Sequence, residues 1–248
     1  MNAITAQPVS AAAGISRSEA YSLIAAAGPD LANLFQAAAQ LRHDRTGRII
    51  SYSRKVFIPL TNLCRDQCGY CTFARGAGDP RAHTMTPDEV VAVAEAGRRA
   101  GCKEALFSLG ERPELRYPAY RRWLVENGHG STIDYLAAMC RLVLEKTGLL
   151  PHANPGTMSR DEMEKLRPVN ISLGMMLESV SNRLLGPGEA HHGCPDKIPA
   201  ARLATLKTAG ELGIPFTTGI LIGIGESPEE RVDSLLAIRE IHRRYGHI

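Results

Sequence analysis

Three cysteines lie within eight residues of the sequence, at Cys64, Cys68 and Cys71, in the spacing C-x3-C-x2-C. Thiolates bind soft metal ions, and three on one short loop can hold three irons of a four-iron cubane cluster. A closed cluster needs four cysteines, and no fourth cysteine lies nearby. One iron would then stay open for a further ligand, as catalytic metal sites usually keep an open position.

Two other interpretations of this loop stay open. A structural zinc site would need a fourth ligand, and His83 could supply it. Buried thiols without a metal are the second alternative, which is opposed by the polar residues Arg65, Asp66 and Gln67 in the same loop.

The three remaining cysteines are scattered along the chain. Cys102 precedes a strand-like run and Cys140 lies on the apolar face of a predicted helix, so both are expected to be core thiols. Cys194 ends the short run His191, His192, Gly193 and Cys194. This run could be a second metal site, but we expect a substrate-facing or plain surface loop.

The elements that must position the cysteine loop alternate along the chain. Strand-like apolar runs are predicted over residues 55–60, 104–109, 149–152, 169–173 and 215–222. Helix signals follow them, including N-cap residues Thr86, Ser159 and Ser227, each with a glutamate three positions later. This order predicts an α/β fold with a parallel sheet of five right-handed βαβ units. In α/β barrels the chemistry lies at the carboxyl ends of the strands, and the cysteines follow the first strand.

The ends of the sheet and of the chain have their own signals. Pro59 lies within the first strand and cannot donate to a ladder, so this strand is expected at the edge of an open, partial barrel. Residues 1–50 are predicted to be a helical extension that packs on the main body. Its first helix starts at Ser16 and its second covers residues 30–42, with a polar loop over 43–48. Residues 51–248 would form the core.

The cysteine motif, with Tyr70 before its last cysteine, resembles that of the radical SAM superfamily. Residues 51–61, 101–107 and 174–178 look like the deazaflavin (Fo) synthase branch of that superfamily, meaning CofG-type subunits or the N-terminal half of fused FbiC-type enzymes. The similarity runs from about residue 48 to the end. It implies a partial (β/α)6 TIM-like barrel, with the three cysteines holding a 4Fe–4S cluster whose open iron binds S-adenosyl-L-methionine.

The resemblance also implies which residues contact that cofactor. Gly110 and Glu111 match the last two positions of a Gly-Gly-Glu motif that holds the methionine amino group, although Leu109 occupies the first position. Glu178 would accept hydrogen bonds from the ribose hydroxyls. The alternative for Glu111 is an exposed loop carboxylate, and the alternative for Glu178 is an ion pair with a neighbouring arginine. Further cofactor contacts are implied for Tyr70, Gly219, Leu221, Gly223 and Glu226. Phosphate binding by the last, glycine-rich run is disfavoured because the turn has no lysine.

The resemblance implies a radical reaction. A 5′-deoxyadenosyl radical would convert the tyrosine-derived 4-hydroxybenzyl adduct of 5-amino-6-(D-ribitylamino)uracil into 7,8-didemethyl-8-hydroxy-5-deazariboflavin, with loss of ammonia. His152 and Asn154, after the third strand, could hydrogen-bond that substrate, or the histidine could merely satisfy backbone groups. Alternatives are a menaquinone-pathway or biotin-synthase-like radical SAM reaction, or a non-catalytic iron–sulfur or zinc protein.

The implied partners are a small-molecule substrate and an electron donor such as ferredoxin or flavodoxin. A CofH-type second subunit, or a fused second domain, would make the adduct. The fifth predicted helix runs almost to the last residue, and no sixth strand follows. We therefore expect a piece of a longer protein, poorly active alone and prone to associate through an unpaired last strand.

The composition excludes other classes. The net charge of 29 − 26 = +3 is too small to imply nucleic-acid binding, so the basic and aromatic residues of the loop 112–130 are expected to form a lid or an amphipathic surface helix. No run of about 18 apolar residues could span a membrane. Residues 1–13 lack the pattern of a secretory signal. These features predict a cytoplasmic protein, in which clustered cysteines bind metal rather than form disulfides.

Overall fold

The computed structural model describes residues 14–248, so the expectation about a signal sequence in residues 1–13 lies outside the described residues. Five parallel strands form one sheet in the order β1-β2-β3-β4-β5. The strands are β1 (Lys55–Thr61), β2 (Glu104–Leu109), β3 (Leu150–Asn154), β4 (Ser172–Gly174) and β5 (Phe216–Thr217). Within the described part of the chain, no helix has both the length and the apolar character needed to cross a membrane.

Helices connect each strand to the next, as the alternating pattern predicts. They are α1 (Arg17–Ile24), α2 (Gly28–Thr46), α3 (Pro87–Arg99), α4 (Pro118–Glu126), α5 (Thr132–Thr147), α6 (Arg160–Leu166), α7 (Pro199–Glu211) and α8 (Pro228–Tyr245). Thr86, Ser159 and Ser227 begin α3, α6 and α8 with complete capping boxes. These reciprocal hydrogen bonds satisfy backbone N–H groups that the first helical turn leaves unpaired. The predicted helix starts are therefore confirmed.

The first strand lies at the edge of the sheet, as its proline predicts. Lys55 pairs with Glu104 at the start of β1, and the register shifts between Pro59 and Thr61. The core lies between the sheet and its helices, where Ile58 of β1 and Phe107 of β2 are fully buried. Because the strands are parallel and held by this core, the loops that follow them all lie at the same edge of the sheet.

The last two strands are shorter than predicted. Val169 belongs to a 3-10 helix, Arg167–Val169, because Pro168 favours a turn there, and β4 begins only at Ser172. After Thr217 the chain leaves the ladder, and only a bridge between Glu178 and Ile220 continues the pairing. The expectation of an unpaired last edge is wrong at Phe216, whose N–H donates to the carbonyl of His247 at 2.9 Å.

The two N-terminal helices differ in their packing. α1 packs on α8 through a small apolar cluster of Ala20, Val232 and Leu236, and the Tyr21 hydroxyl donates to Asp233 at 2.7 Å. No residue of α2 is buried, and this helix continues to Thr46 through the segment predicted to be a loop. Residues 43–46 are polar but contain no glycine or proline, so they extend the exposed helix, which is capped at Gly47 with a φ of 70°.

Two smaller predictions are confirmed. The loop after β2 contains α4, an amphipathic helix that buries Tyr120 and Leu124. Cys140 is fully buried and Cys102 packs against the core, as expected of core thiols.

Candidate functional site

A cavity of about 280 Å³ opens at the carboxyl ends of the strands. The segments that follow β1, β2, β3 and β4 all contribute to its wall. Among its lining residues are Cys64, Cys68, Tyr70, Cys71, Gly110, Glu111, Asn154, Glu178, Lys197 and Arg202. The structure thus brings the three cysteines together with half of the predicted cofactor contacts, which are Tyr70, Gly110, Glu111 and Glu178. His152, Gly219, Leu221, Gly223 and Glu226 do not belong to this lining.

Backbone hydrogen bonds hold the cysteine loop against neighbouring segments. The N–H of Arg65 donates to the carbonyl of Glu111 at 2.8 Å, and the N–H of Glu111 donates to the Cys64 sulfur at 3.2 Å. Cys64 and Cys68 are half-buried and Cys71 is exposed. Burial raises the pKa of the Cys64 thiol to about 11, and it raises the pKa of Cys68 as well. Metal coordination would offset this cost, because a coordinated thiol is deprotonated.

Gly110 lets the end of β2 approach the cysteine loop. A Cβ at this position would lie 1.9 Å from the carbonyl oxygen of Leu63 and 2.8 Å from the Cβ of Cys64. Real atoms do not come that close, so only glycine fits without moving the loop. Gly110 therefore allows the cysteine loop to pack against the end of β2.

The next residue, Glu111, is a buried carboxylate. It accepts hydrogen bonds from the N–H of Thr157 at 2.5 Å and from the Thr157 hydroxyl at 2.6 Å. The Arg202 guanidinium lies 3.5 Å away. These contacts hold the carboxylate at the cavity wall, which excludes the alternative of an exposed loop glutamate.

Glu178 lies on the opposite side of the same arginine. Its carboxylate accepts a hydrogen bond from the Tyr70 hydroxyl and is paired with Lys197 at 2.6 Å, His191 at 3.0 Å and Arg202 at 3.7 Å. Burial acts to raise its pKa, but the hydrogen bond with His191 and the charges of Lys197 and Arg202 outweigh burial and hold the pKa well below its usual range. The ion pair expected as an alternative is therefore present, and the carboxylate still lines the cavity.

The backbone at Glu178 is strained, with a φ of 65°. Its N–H donates to the carbonyl of Gly219 at 3.0 Å, and its carbonyl accepts from the N–H of Leu221 at 2.9 Å. Non-glycine residues in this conformation occur at sites where the surroundings fix them. The run after β5 therefore helps to hold Glu178 at the cavity wall.

The segment after β4 contains residues that sequence reasoning missed. His191 and Cys194 are each 3% exposed, so the expected plain surface loop is wrong. Gly69 of the cysteine loop donates its N–H to the carbonyl of Ala190 at 2.8 Å, which seats this segment on the cysteine loop. The sequence did contain a signal for a site here: an acid, a lysine and an arginine follow the fourth strand, at Asp196, Lys197 and Arg202.

Three buried carboxylates, one of them from the cysteine loop itself, lie close together. Oxygen atoms of Asp66, Glu111 and Asp196 lie within 4.8 Å of one another. Burial and the charges of the other two carboxylates raise the pKa of Asp66 to about 6, and one of its oxygens has no hydrogen-bond partner. Arg65 compensates Asp196 with a hydrogen bond of 2.8 Å.

The third strand contributes one residue to the cavity. Asn154 lines it, and its Oδ1 atom is buried without a hydrogen-bond partner. His152 lies behind the wall, with Nδ1 2.6 Å from the hydroxyl of Ser172. Burial lowers the pKa of His152, which favours a neutral ring. His152 thus satisfies a neighbouring hydroxyl behind the wall, whereas Asn154 lines the cavity itself.

His83, the possible fourth zinc ligand, points elsewhere. Its ring is paired with Glu89 at 3.2 Å and is largely exposed. It does not line the cavity. His83 is therefore not placed to be the fourth ligand of a structural zinc site.

The glycine-rich run after β5 is closed by its own glutamate. The Glu226 carboxylate accepts from the N–H groups of Gly223 and Ile224, both at 2.8 Å, and pairs with Arg231 at 2.6 Å. Burial acts to raise its pKa, but these hydrogen bonds outweigh burial and lower the pKa to about 2. A direct contact of these residues with a cofactor stays a prediction.

Replacing Glu226 by glutamine should reduce thermal stability in a pH-dependent way. A carboxyl whose pKa is lowered on folding stabilises the chain above its ordinary value of 4.5, and the contribution is lost as pH falls toward 2. The melting temperature of the variant should be lower at neutral pH, and the difference should shrink between pH 7 and about pH 3. Circular dichroism measures it, with exposed Glu229→Gln as the control. A pH-independent difference would contradict this role.

The fold and the cavity together define a class of protein. A parallel sheet flanked by helices, whose first strand delivers three cysteines to the carboxyl-end cavity, is a partial (β/α) barrel with three thiols at the edge where such barrels have their chemistry. The sequence pattern of the Radical SAM superfamily matches residues 58–238. The chain belongs to this superfamily.

Two relatives are similar to the chain in sequence, and one solved structure is similar to it in fold. The chain is 53% identical over 240 residues to the FO synthase of Nocardia farcinica, covering 93% of this chain and 28% of that protein. It is 51% identical over 200 residues to the 7,8-didemethyl-8-hydroxy-5-deazariboflavin synthase of Methanopyrus kandleri, covering 81% of this chain and 60% of that protein. The hydrogenase maturase HydG of Carboxydothermus hydrogenoformans has the same fold, with a TM-score of 0.74, 22% identity, and coverage of 94% of this chain and 51% of that chain. The chain thus spans less than a third of the Nocardia relative.

Proposed function

We propose that the chain carries the radical SAM lyase activity that forms 7,8-didemethyl-8-hydroxy-5-deazariboflavin in deazaflavin coenzyme biosynthesis. Support comes from one feature above all, since the cysteine loop and the carboxylates Glu111 and Glu178 line a single cavity. Identities of about one half to proteins named FO synthase support the choice of reaction. In this proposal residues 51–248 are the catalytic core and residues 1–50 are an extension.

The donors present fit a cluster with one open iron. Cys64, Cys68 and Cys71 would hold a 4Fe–4S cluster, and both carboxylates lie at the same cavity for the cofactor that completes it. When bound, the cluster supplies the electron that cleaves S-adenosyl-L-methionine to a 5′-deoxyadenosyl radical. The residues of the chain itself would bind and orient the cofactor and the substrate, and would exclude water from the cavity.

The two carboxylates suit the two polar ends of that cofactor. Glu111 lies 3.5 Å from Arg202 at the cavity wall, so its carboxylate oxygens can accept hydrogen bonds from the methionine amino group. Glu178, held ionised by its partners, can accept hydrogen bonds from ribose hydroxyls, and Tyr70 fixes its position. Gly219, Leu221, Gly223 and Glu226 would contribute through the run that supports Glu178.

Apolar side chains complete the cavity. Phe73, Leu109, Met175 and Met176 lie between the polar groups. A primary carbon radical abstracts hydrogen from whatever is near, so a wall that excludes water protects the reaction. The substrate would be the 4-hydroxybenzyl adduct of ribitylaminouracil, from which hydrogen abstraction, ring closure and loss of ammonia give the product.

The proposed partners follow from this reaction. A CofH-type second subunit, or a fused second domain, would make the adduct, and ferredoxin or flavodoxin would supply the electron. Product analysis tests the reaction directly. The reconstituted chain, the adduct, S-adenosyl-L-methionine and dithionite should yield the deazariboflavin together with ammonia. Cofactor cleavage without this product would point instead to a menaquinone-pathway or biotin-synthase-like reaction on another substrate.

Replacing Asn154 by alanine should weaken substrate binding and leave folding intact. Its side chain lines the cavity, so its amide can reach a substrate hydroxyl or amide; the ribityl and uracil parts of the adduct carry both. One lost hydrogen bond of about 1–1.5 kcal/mol should raise KM for the adduct roughly five- to tenfold. Steady-state kinetics with the adduct and a thermal melt measure both effects.

The matched control for Asn154 is Ser108→Ala, which removes a hydroxyl from the neighbouring strand at the same cavity. Its KM should stay close to that of the unchanged chain. Equal KM values for Asn154→Ala and the unchanged chain would show that this amide does not contact the substrate.

A further inference from the structure

The Glu111 carboxylate is held by the segment that follows β3. Its Oε1 atom accepts hydrogen bonds from the Thr157 N–H at 2.5 Å and from the Thr157 hydroxyl at 2.6 Å. Gly156 lies against the same carboxylate, because a Cβ at this glycine would be 2.2 Å from the Cδ of Glu111. The φ of Gly156 is 92°, which also favours glycine. The position of the carboxylate therefore depends on where this segment lies.

Arg112, the residue after Glu111, ties that segment to the end of β2. Its Nη1 and Nη2 atoms donate to the two carboxylate oxygens of Glu162, at 3.0 Å and 2.9 Å. Nη2 also donates to the Thr157 carbonyl at 3.0 Å. A guanidinium and a carboxylate joined by two hydrogen bonds have a fixed mutual orientation. These contacts of Arg112 with Glu162 and Thr157 form a clamp, the Arg112 clamp, on the residue that holds the Glu111 carboxylate.

Glu162 is itself anchored in the protein. It is the third residue of α6, and its Oε2 atom accepts from the Ser159 N–H at 2.7 Å within the capping box of that helix. The side chains of Arg112 and Glu162 are only 24% and 18% exposed, so water competes less for this pair than for a surface ion pair. The clamp therefore fixes Thr157 to the start of a helix.

The backbone at Arg112 adopts an unfavourable conformation, with a φ of 44°. Among the described residues, the other non-glycine residue with a positive φ is Glu178, which lines the cavity. Such conformations persist where surrounding contacts hold them, and they cluster at functional sites. Arg112 does not line the cavity, so it does not reach a bound molecule there. Its contacts act on the cavity through Thr157.

We propose that Arg112 is a positioning residue, which holds the Glu111 carboxylate through Thr157 in the orientation that meets the methionine amino group of S-adenosyl-L-methionine. The inference rests on the proposed function, because it needs Glu111 to bind that amino group. Without the clamp, the Thr157 carbonyl loses its contact with the guanidinium, and Glu111 has to be ordered when the cofactor binds. Ordering a side chain on binding lowers affinity.

The affinity of Arg112→Asn for the cofactor tests the inference. Asparagine tolerates the left-handed conformation, so this variant keeps the backbone and loses the guanidinium contacts. The chain is reconstituted with its cluster, kept without reductant, and titrated with S-adenosyl-L-methionine by equilibrium dialysis. The Kd should rise about tenfold. Iron content should stay at about four per chain.

A second ligand separates positioning from a general loss of structure. 5′-Deoxy-5′-methylthioadenosine carries the adenosine part of the cofactor but neither its amino nor its carboxylate group. Its Kd should change less than about twofold in Arg112→Asn, because it does not reach Glu111. Arg160→Asn is the control variant, since Arg160 begins the same helix α6 and forms a half-exposed ion pair with Glu211. It should leave both Kd values unchanged.

Glu162→Gln breaks the clamp from its other end. The amide keeps an oxygen for the Ser159 N–H but cannot accept both hydrogen bonds of the guanidinium. The Kd for S-adenosyl-L-methionine should rise in this variant as well, so the test stands even if Arg112→Asn fails to fold.

Two outcomes would overturn the inference. One is an unchanged Kd for S-adenosyl-L-methionine in both clamp variants, and the other is an equal loss of affinity for the two ligands. Binding is measured before any turnover. Cofactor binding without formation of the deazariboflavin would therefore contradict the proposed function and leave this result standing.

Discussion

Replacing Arg202 by methionine is expected to lower the free energy of unfolding by about 3–5 kcal/mol, because it leaves buried carboxylates without their shared counter-charge. The guanidinium is 3% exposed and lies between Glu111 and Glu178. It also donates to the carbonyl oxygens of Met176 at 2.8 Å and Asp196 at 2.9 Å. Denaturant unfolding followed by circular dichroism measures the change.

The chain offers a matched control for this substitution. Arg160 forms an ion pair with Glu211 in which both side chains are about half exposed. Arg160→Met should therefore cost less than about 1 kcal/mol, as surface ion pairs usually do. If both variants lost the same small amount, Arg202 would not be the residue that holds the two carboxylates.

Replacing Gly110 by alanine is expected to abolish cluster binding. The new Cβ would lie 1.9 Å from the Leu63 carbonyl oxygen, which is backbone and cannot rotate away. The cysteine loop would have to move from the end of β2, and the hydrogen bond from the Glu111 N–H to the Cys64 sulfur would break. Iron content after anaerobic reconstitution should fall from about four per chain to below about one.

Gly78→Ala is the control for this loss, because a Cβ at Gly78 meets nothing within 4 Å and the position lies beyond the same loop. Its iron content should equal that of the unchanged chain. Full iron loading of Gly110→Ala would mean that the cysteine loop is free of β2, contrary to the packing described here.

Local sequence patterns were enough for much of the fold. The capping boxes at Thr86, Ser159 and Ser227, and the edge position of the strand containing Pro59, depend on backbone groups within a few residues. The same holds for the cysteine loop, whose three thiols are close in sequence. Such features follow from local hydrogen bonding and need little information from the rest of the chain.

The missed features depend on contacts between distant segments. Lys197 and Arg202 were not expected at the cavity, because only the folded sheet brings the segment after β4 onto the cysteine loop. The length of β5 was overpredicted for a similar reason. An apolar run predicts a buried strand, but it does not show whether the chain stays paired in the sheet or leaves it.

The most direct test of the cluster site is anaerobic reconstitution of the chain with iron and sulfide, followed by dithionite and S-adenosyl-L-methionine. About four irons per chain and dithionite-dependent release of 5′-deoxyadenosine are expected. Both should be lost in Cys68→Ala and kept in Cys102→Ala, whose thiol lies in the core. Binding of zinc, with no cleavage of S-adenosyl-L-methionine, would contradict the central claim that this cavity holds a redox-active cluster.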